Sequence, residues 1–252
     1  MDTGQIAEWI TDSAYVWGAR VQDPASIEVA SGSDLEDDKV LPGGLEVARL
    51  TWRALGTAGE HAGLLAHIVA SSGGGVFAKP YLSLARTTML GAARALYVLE
   101  PDAPADRRAR ALQLLRTEAT DTHKVVGDWE ASRATGDQRV QAARAAADQF
   151  RTECERELVA AGKKAGSVMT ETALLVAVAP HLAEKVPDPV ASLMTLWRLS
   201  SATAHARTWS WSAPLEDEDP ITQYTSIWSL PMGLMDEAWD LWNKRRGCEA
   251  NP

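Results

Sequence analysis

LEVARLTWRALGTAGEHAGLLAHIVA, residues 45–70, decides the fold class. Val47, Leu50, Ala54, Leu55, Ala58, Leu64, Leu65 and Ile68 recur at intervals of three and four, which gathers them on one stripe of a helix and on no face of a strand. The stretch runs into Ser71-Ser72-Gly73-Gly74-Gly75, a sequence that stops a helix. Working outward, a second helix is predicted to begin at Pro80, a residue suited to a first helical position. It carries Leu82, Ala85, Met89, Ala92, Leu96 and Leu99 on one stripe and halts before Pro101.

The same periodicity continues downstream. Asp102 is the expected cap of a helix reaching about Trp129, with Leu112, Leu115, Ala119 and Val126 inward and Arg107, Arg108, Arg110 and Arg116 on a solvated face. Val140, Ala143, Ala147, Phe150, Cys154 and Leu158 trace another helix over about 137–161. Thr170 caps a segment burying Leu174, Leu175 and Val178, and Asp188-Pro189 launches a helix expected to run to about Trp209. A last helix, from about Tyr224 to Arg246 with a break expected at Pro231, presents Trp228, Met235, Trp239 and Trp242. Lys244-Arg245-Arg246 complements its C-terminal dipole. Ile6, Trp9, Ile10, Val16 and Trp17 mark a short N-terminal helix, followed by an acidic loop over 31–39 that reads as mobile. Runs alternating with period two are scarce, so the expected fold is all-α: an antiparallel helical bundle of six to eight helices. Residues 1–44 form an N-terminal helix and acidic loop, 45–252 the bundle with its Trp-rich last helix, as one domain overall.

Composition narrows the function. The 252 residues carry 25 Lys plus Arg against 34 Asp plus Glu, a net charge of -9, which disfavours sequence-independent wrapping of nucleic acid while leaving room for a local basic site. Two cysteines, Cys154 and Cys248, suit a reducing compartment, and the start Met1-Asp2-Thr3-Gly4 lacks the basic run of a secretion signal. No stretch reaches the roughly 18 uninterrupted apolar residues of a membrane span, so no membrane association and a cytoplasmic location are expected. No cofactor is expected. Glu-x-x-His and His-Glu-x-x-His spacings are absent, so a metal site is not expected either. Glu36-Asp37-Asp38 has no second acidic motif to complete it, and His61 and His67 read as packing residues.

Arg198 and His205 lie seven residues apart on the Asp188-initiated segment, nearly one face two turns apart, with Ser201 between them. Such a set can hold a phosphodiester, the guanidinium stabilising charge on phosphorus while an imidazole moves the proton of a ribose hydroxyl. The commoner reading of the spacing alone is a helix-surface pair tied to carboxylates or carbonyls of neighbouring helices. Trp209 and Trp211 flank the motif and offer stacking platforms for a base, although the ordinary task of the ten tryptophans is packing the last helices against each other or a second subunit.

The stretch Leu196-Trp197-Arg198-Leu199-Ser200-Ser201-Ala202-Thr203-Ala204-His205 resembles the late-helix motif of the HEPN-like helical domain superfamily, most strongly its uncharacterised actinobacterial members. Their early helix ends in a step like Val98-Leu99-Glu100-Pro101-Asp102. The resemblance implies a bundle that frequently dimerises and, in active members, a metal-independent ribonuclease; Arg198 and His205 are the positions it carries over. Leu199 stands where nuclease members place a polar residue, and Leu90 where an acidic residue faces the motif. The leading expectation is a protein that binds RNA or a nucleotide and cleaves RNA with the Arg198/His205 pair. The alternatives are a non-catalytic dimeric regulatory module and a small-molecule enzyme with a pocket between helices.

Overall fold

A computed structural model describes residues 2–38, 40–72, 78–132, 137–207 and 219–248. Among these, eight α-helices follow one another without a strand: α1 (Thr3–Arg20), α2 (Val47–Ser71), α3 (Ala78–Leu99), α4 (Pro104–Ser132), α5 (Gln138–Ala160), α6 (Glu171–Val178), α7 (Pro189–Ala204) and α8 (Pro220–Arg245). The all-α bundle is the architecture expected from the periodicity. Most starts are set by side-chain caps: Asp2 with Gln5 in a reciprocal box, Asp137, Thr170, Asp188 and Asp219 each accept from backbone N–H groups in the first turn.

The central element is α3, whose faces meet α2, α6, α7 and α8, while α1 packs on α2 and α8. Fully buried Tyr81, Met89, Leu96 and Leu99 of α3, Leu55 and Leu65 of α2, and Trp228 and Trp242 of α8 form the middle of the core. α2 and α3 run antiparallel at close range: the Thr88 hydroxyl donates to the Ala58 carbonyl, and a Cβ at Gly91 would stand 2.5 Å from the Ala54 carbonyl oxygen. Only glycine permits that approach. α4 and α5 form a second antiparallel hairpin, zipped by the Arg108–Glu157 pair at 2.9 Å, Arg116–Glu155 at 2.6 Å and His123–Asp148 at 2.9 Å.

Four of the described tryptophans pair within the chain. Trp17 meets Trp239 edge-on at 5.4 Å and Trp52 lies 5.6 Å from Trp242, so the Trp-rich helix is bound to α1 and α2 of its own protomer. α8 continues through Pro231 where a break is expected, because apolar side chains on both sides of it, Trp228 and Met235 among them, are fully buried and hold the axis.

Four expectations about charged segments are corrected by the structure. Arg107, expected on a solvated face, is fully buried: Nε and Nη2 donate to the two Asp38 carboxylate oxygens at 3.0 Å each, and its remaining donors reach the carbonyls of Asp34, Pro101 and Asp102. Arg245 and Arg246 do more than complement a dipole. Arg245 donates to the Leu99 and Glu100 carbonyls at the end of α3 and to the Asp34 and Asp102 carboxylates, while Arg246 donates to the Ala25 and Glu28 carbonyls. Asp102 is therefore an acceptor for Arg245 and not the cap of α4, which starts at Pro104. The acidic loop read as mobile is anchored to α8, with Ala30 and Leu35 donating backbone hydrogen bonds to the Arg246 and Arg245 carbonyls. Acidic side chains and buried arginines lie far apart in sequence, which is why local pattern assigns both to solvent.

A candidate phosphate-binding face at the end of α7

Asp188 accepts from the Ala191 N–H at 3.0 Å and Pro189 fills the first helical position, so α7 starts as its sequence dictates. Its end differs from expectation. The helix stops at Ala204, five residues before Trp209, and His205 is its C-cap. Ala206 takes φ 50°, with its N–H on the Thr203 carbonyl at 3.0 Å and the Arg207 N–H on the Ala202 carbonyl at 2.9 Å. Those two bonds make a Schellman turn, whose left-handed position normally carries glycine. An alanine there signals continuation to any local reading, since alanine is the strongest helix former.

The early stop still leaves the spaced residues together. Trp197, Arg198, Ser201, Ala202, His205 and Arg207 line one open depression of about 380 Å³. Arg198 and His205 are exposed and Ser201 is half-buried, so all three are accessible from one side. Among the described residues the lining brings two guanidinium groups and an imidazole together on a chain of net charge -9. Trp209 and Trp211, expected as stacking platforms, lie outside the described residues.

Three residues that sequence spacing does not single out shape this face. The Trp197 indole N–H donates to Glu171 Oε2 at 3.0 Å, and Arg86 Nη2 reaches the same oxygen at 2.8 Å. The Arg86–Glu171–Trp197 chain joins α3, α6 and α7, holding the aromatic wall of the depression in place. Its signal in sequence is one acid after the Thr170 cap, which reads as ordinary dipole complementation. Leu90 does not face the motif: it is buried in a separate cavity between α2, α3 and α4.

The arrangement can bind an anion and place an imidazole beside it. No carboxylate among the lining residues orients that imidazole. Of the two histidines read as packing residues, His61 is half-buried with Nδ1 2.8 Å from the Thr57 carbonyl of its own helix, and His67 is exposed. Among the described residues no group of three or more His, Cys, Asp or Glu is arranged to hold a metal ion, and no helix is long and apolar enough to cross a membrane. No protein-family model, curated protein or solved structure matches the chain.

Proposed function

We propose that this chain is a HEPN-like helical protein that binds RNA or a nucleotide at the Arg198–Ser201–His205 face and cleaves RNA there without a metal. The observation that supports the reading is that Arg198 and His205, seven residues apart, line a single open depression. In the proposed step the ribose 2′-oxygen attacks the adjacent phosphorus, the P–O5′ bond breaks, and a 2′,3′-cyclic phosphate and a 5′-hydroxyl result. His205 takes the 2′-hydroxyl proton, a solvent water protonates the departing O5′, and Arg198 stabilises the charge that builds on the phosphoryl oxygens. Ser201 offers a hydroxyl to the phosphate between them.

The test is incubation of purified protein with a panel of single-stranded and hairpin RNAs in chelator, alongside Arg198→Ala and His205→Ala, with circular dichroism to establish folding. Cleavage by the parent chain that falls at least about a hundredfold in His205→Ala supports the chemistry. Binding that weakens in Arg198→Ala with no cleavage by the parent keeps the RNA site and removes the catalysis.

One observation favours a second reading, a non-catalytic dimeric module. Val125 and Trp129 on α4 are 47% and 52% exposed along an apolar groove between α4 and α5. Sedimentation velocity separates the readings: a dimer dispersed by Trp129→Glu, together with no RNA bound, supports the module.

A further inference from the structure

A second cavity, sharing no residue with the α7 face, lies where α2 packs closely on α3 but only lightly on α4. It encloses about 310 Å³, at the small end of the range of ligand sites. Its inner wall is aliphatic: Leu90, Val98, Leu114 and Leu115 are buried, and half-buried Leu50 stands at the side. Its polar groups come from facing helices, Arg53 and Thr57 one turn apart on α2 and Thr87 and Arg94 two turns apart on α3.

The polar set is unfinished. Arg53 has no hydrogen-bond or ion-pair partner among the described residues, and Arg94 has only Glu118 of α4, at 3.8 Å. That separation is beyond the roughly 2.8 Å of a charge-assisted hydrogen bond. The Glu118 carboxylate thus stands near a guanidinium without engaging it, and two cations against one anion leave the cavity mouth one positive charge in excess. A tightly packed core has no use for an aliphatic hollow of this size under two under-used guanidinium groups.

We propose that this cavity binds a small monoanion with an aliphatic or aromatic body, its acidic group bridging Arg53 and Arg94 and its body lying on Leu50, Leu90 and Leu115. The guanidinium fork matches a carboxylate in two hydrogen bonds, and the Thr87 hydroxyl, held only by a 3.4 Å bond to the Ser83 carbonyl, is free to turn toward the ligand. The ligand acid takes up the Arg94 donors that Glu118, at 3.8 Å, leaves unused. The site is independent of the RNA reading and stands or falls separately from it.

The experiment titrates the full chain, with ¹³C-labelled leucine and valine methyls, with octanoate and with indole-3-acetate, using 1-octanol as the uncharged control. Saturable shifts at the Leu50, Leu90 and Leu115 methyls are expected with at least one of the acids and not with the alcohol. Arg53→Gln and Arg94→Gln are each expected to weaken the dissociation constant about tenfold, and Glu118→Gln to strengthen it severalfold. Both arginines reach the surface, so these variants are expected to fold; Leu50→Trp, which fills the mouth, is expected to abolish binding. The proposal is overturned if neither acid gives a saturable shift, if 1-octanol binds equally well, if shifts fall at Val125 and Val126 instead, or if the arginine variants bind as the parent does.

Discussion

Replacing Arg107 by Met tests the most unusual feature of the fold. The side chains of Arg107 and Asp38 are both wholly buried, and the guanidinium makes five hydrogen bonds to Asp38, Asp34, Pro101 and Asp102. Met fills much of the stem's volume but returns none of those bonds. It leaves a carboxylate and three carbonyls without their donor. Breaking a buried ion pair from one side costs about 3–5 kcal/mol, a large part of the roughly 5–15 kcal/mol by which a domain is stable. Asp38 limits the damage by taking up a proton, since burial already pushes its carboxyl above the ordinary value against the pull of Arg107. The loss in Arg107→Met is therefore expected to be larger at pH 7.5 than at pH 4.5. Urea unfolding followed by circular dichroism measures it, and amide exchange over 30–38 is expected to accelerate first, because Arg107 is what ties Asp34 and Asp38 to α4. Arg107→Met combined with Asp38→Leu removes both charges and is expected to recover about 2 kcal/mol of the single loss. A single-variant cost below about 1 kcal/mol, or a double variant less stable than the single, refutes the claim that the pair holds the loop.

Other outcomes follow from the same coordinates. Gly91→Ala sets a methyl against the Ala54 carbonyl oxygen and is expected to destabilise by about 1–3 kcal/mol in thermal unfolding. Ala206→Gly relieves a left-handed alanine at the end of α7 and is expected to stabilise by about 1 kcal/mol. Burial raises the Asp236 carboxyl to about 6, with Lys185 and Arg20 opposing and Asp240 and Glu237 adding to the rise. A folded-state value above the unfolded one means the native state holds the proton more tightly, so stability falls as pH rises from about 4 to about 6. Asp236→Asn is accordingly expected to exceed the parent by up to about 3 kcal/mol at pH 7.5 and to match it at pH 3.5. Glu171→Gln removes the charge that holds Arg86 and weakens the acceptor for the Trp197 indole. Under the RNA reading it is expected to reduce affinity severalfold in a filter-binding assay while leaving the midpoint of unfolding within a few degrees.

Periodicity and caps are local properties, and the sequence carries most of them. Three- and four-residue spacing of Val47 through Ile68 implies α2; Asp137, Thr170 and Asp188 mark the starts of α5, α6 and α7 because an N-cap acts on N–H groups only two or three residues away. The shared face of Arg198, Ser201 and His205 is legible for the same reason, since a helix of 3.6 residues per turn converts spacing into direction. What depends on partners distant in the chain could not be read that way. Whether Arg107 and Arg245 face water or carboxylates was decided by the packing of α4 and α8 beside the loop of residues 23–38, since Asp38 lies 69 residues from Arg107 and Asp34 lies 211 from Arg245. The Arg86–Glu171–Trp197 chain exists only because α3, α6 and α7 converge. The end of α7 also departs from local propensity: alanine favours continuing the helix, yet the chain leaves it through a Schellman turn at Ala206. Charge burial is settled by what the rest of the molecule places nearby, and one-dimensional pattern contains only the neighbours in sequence.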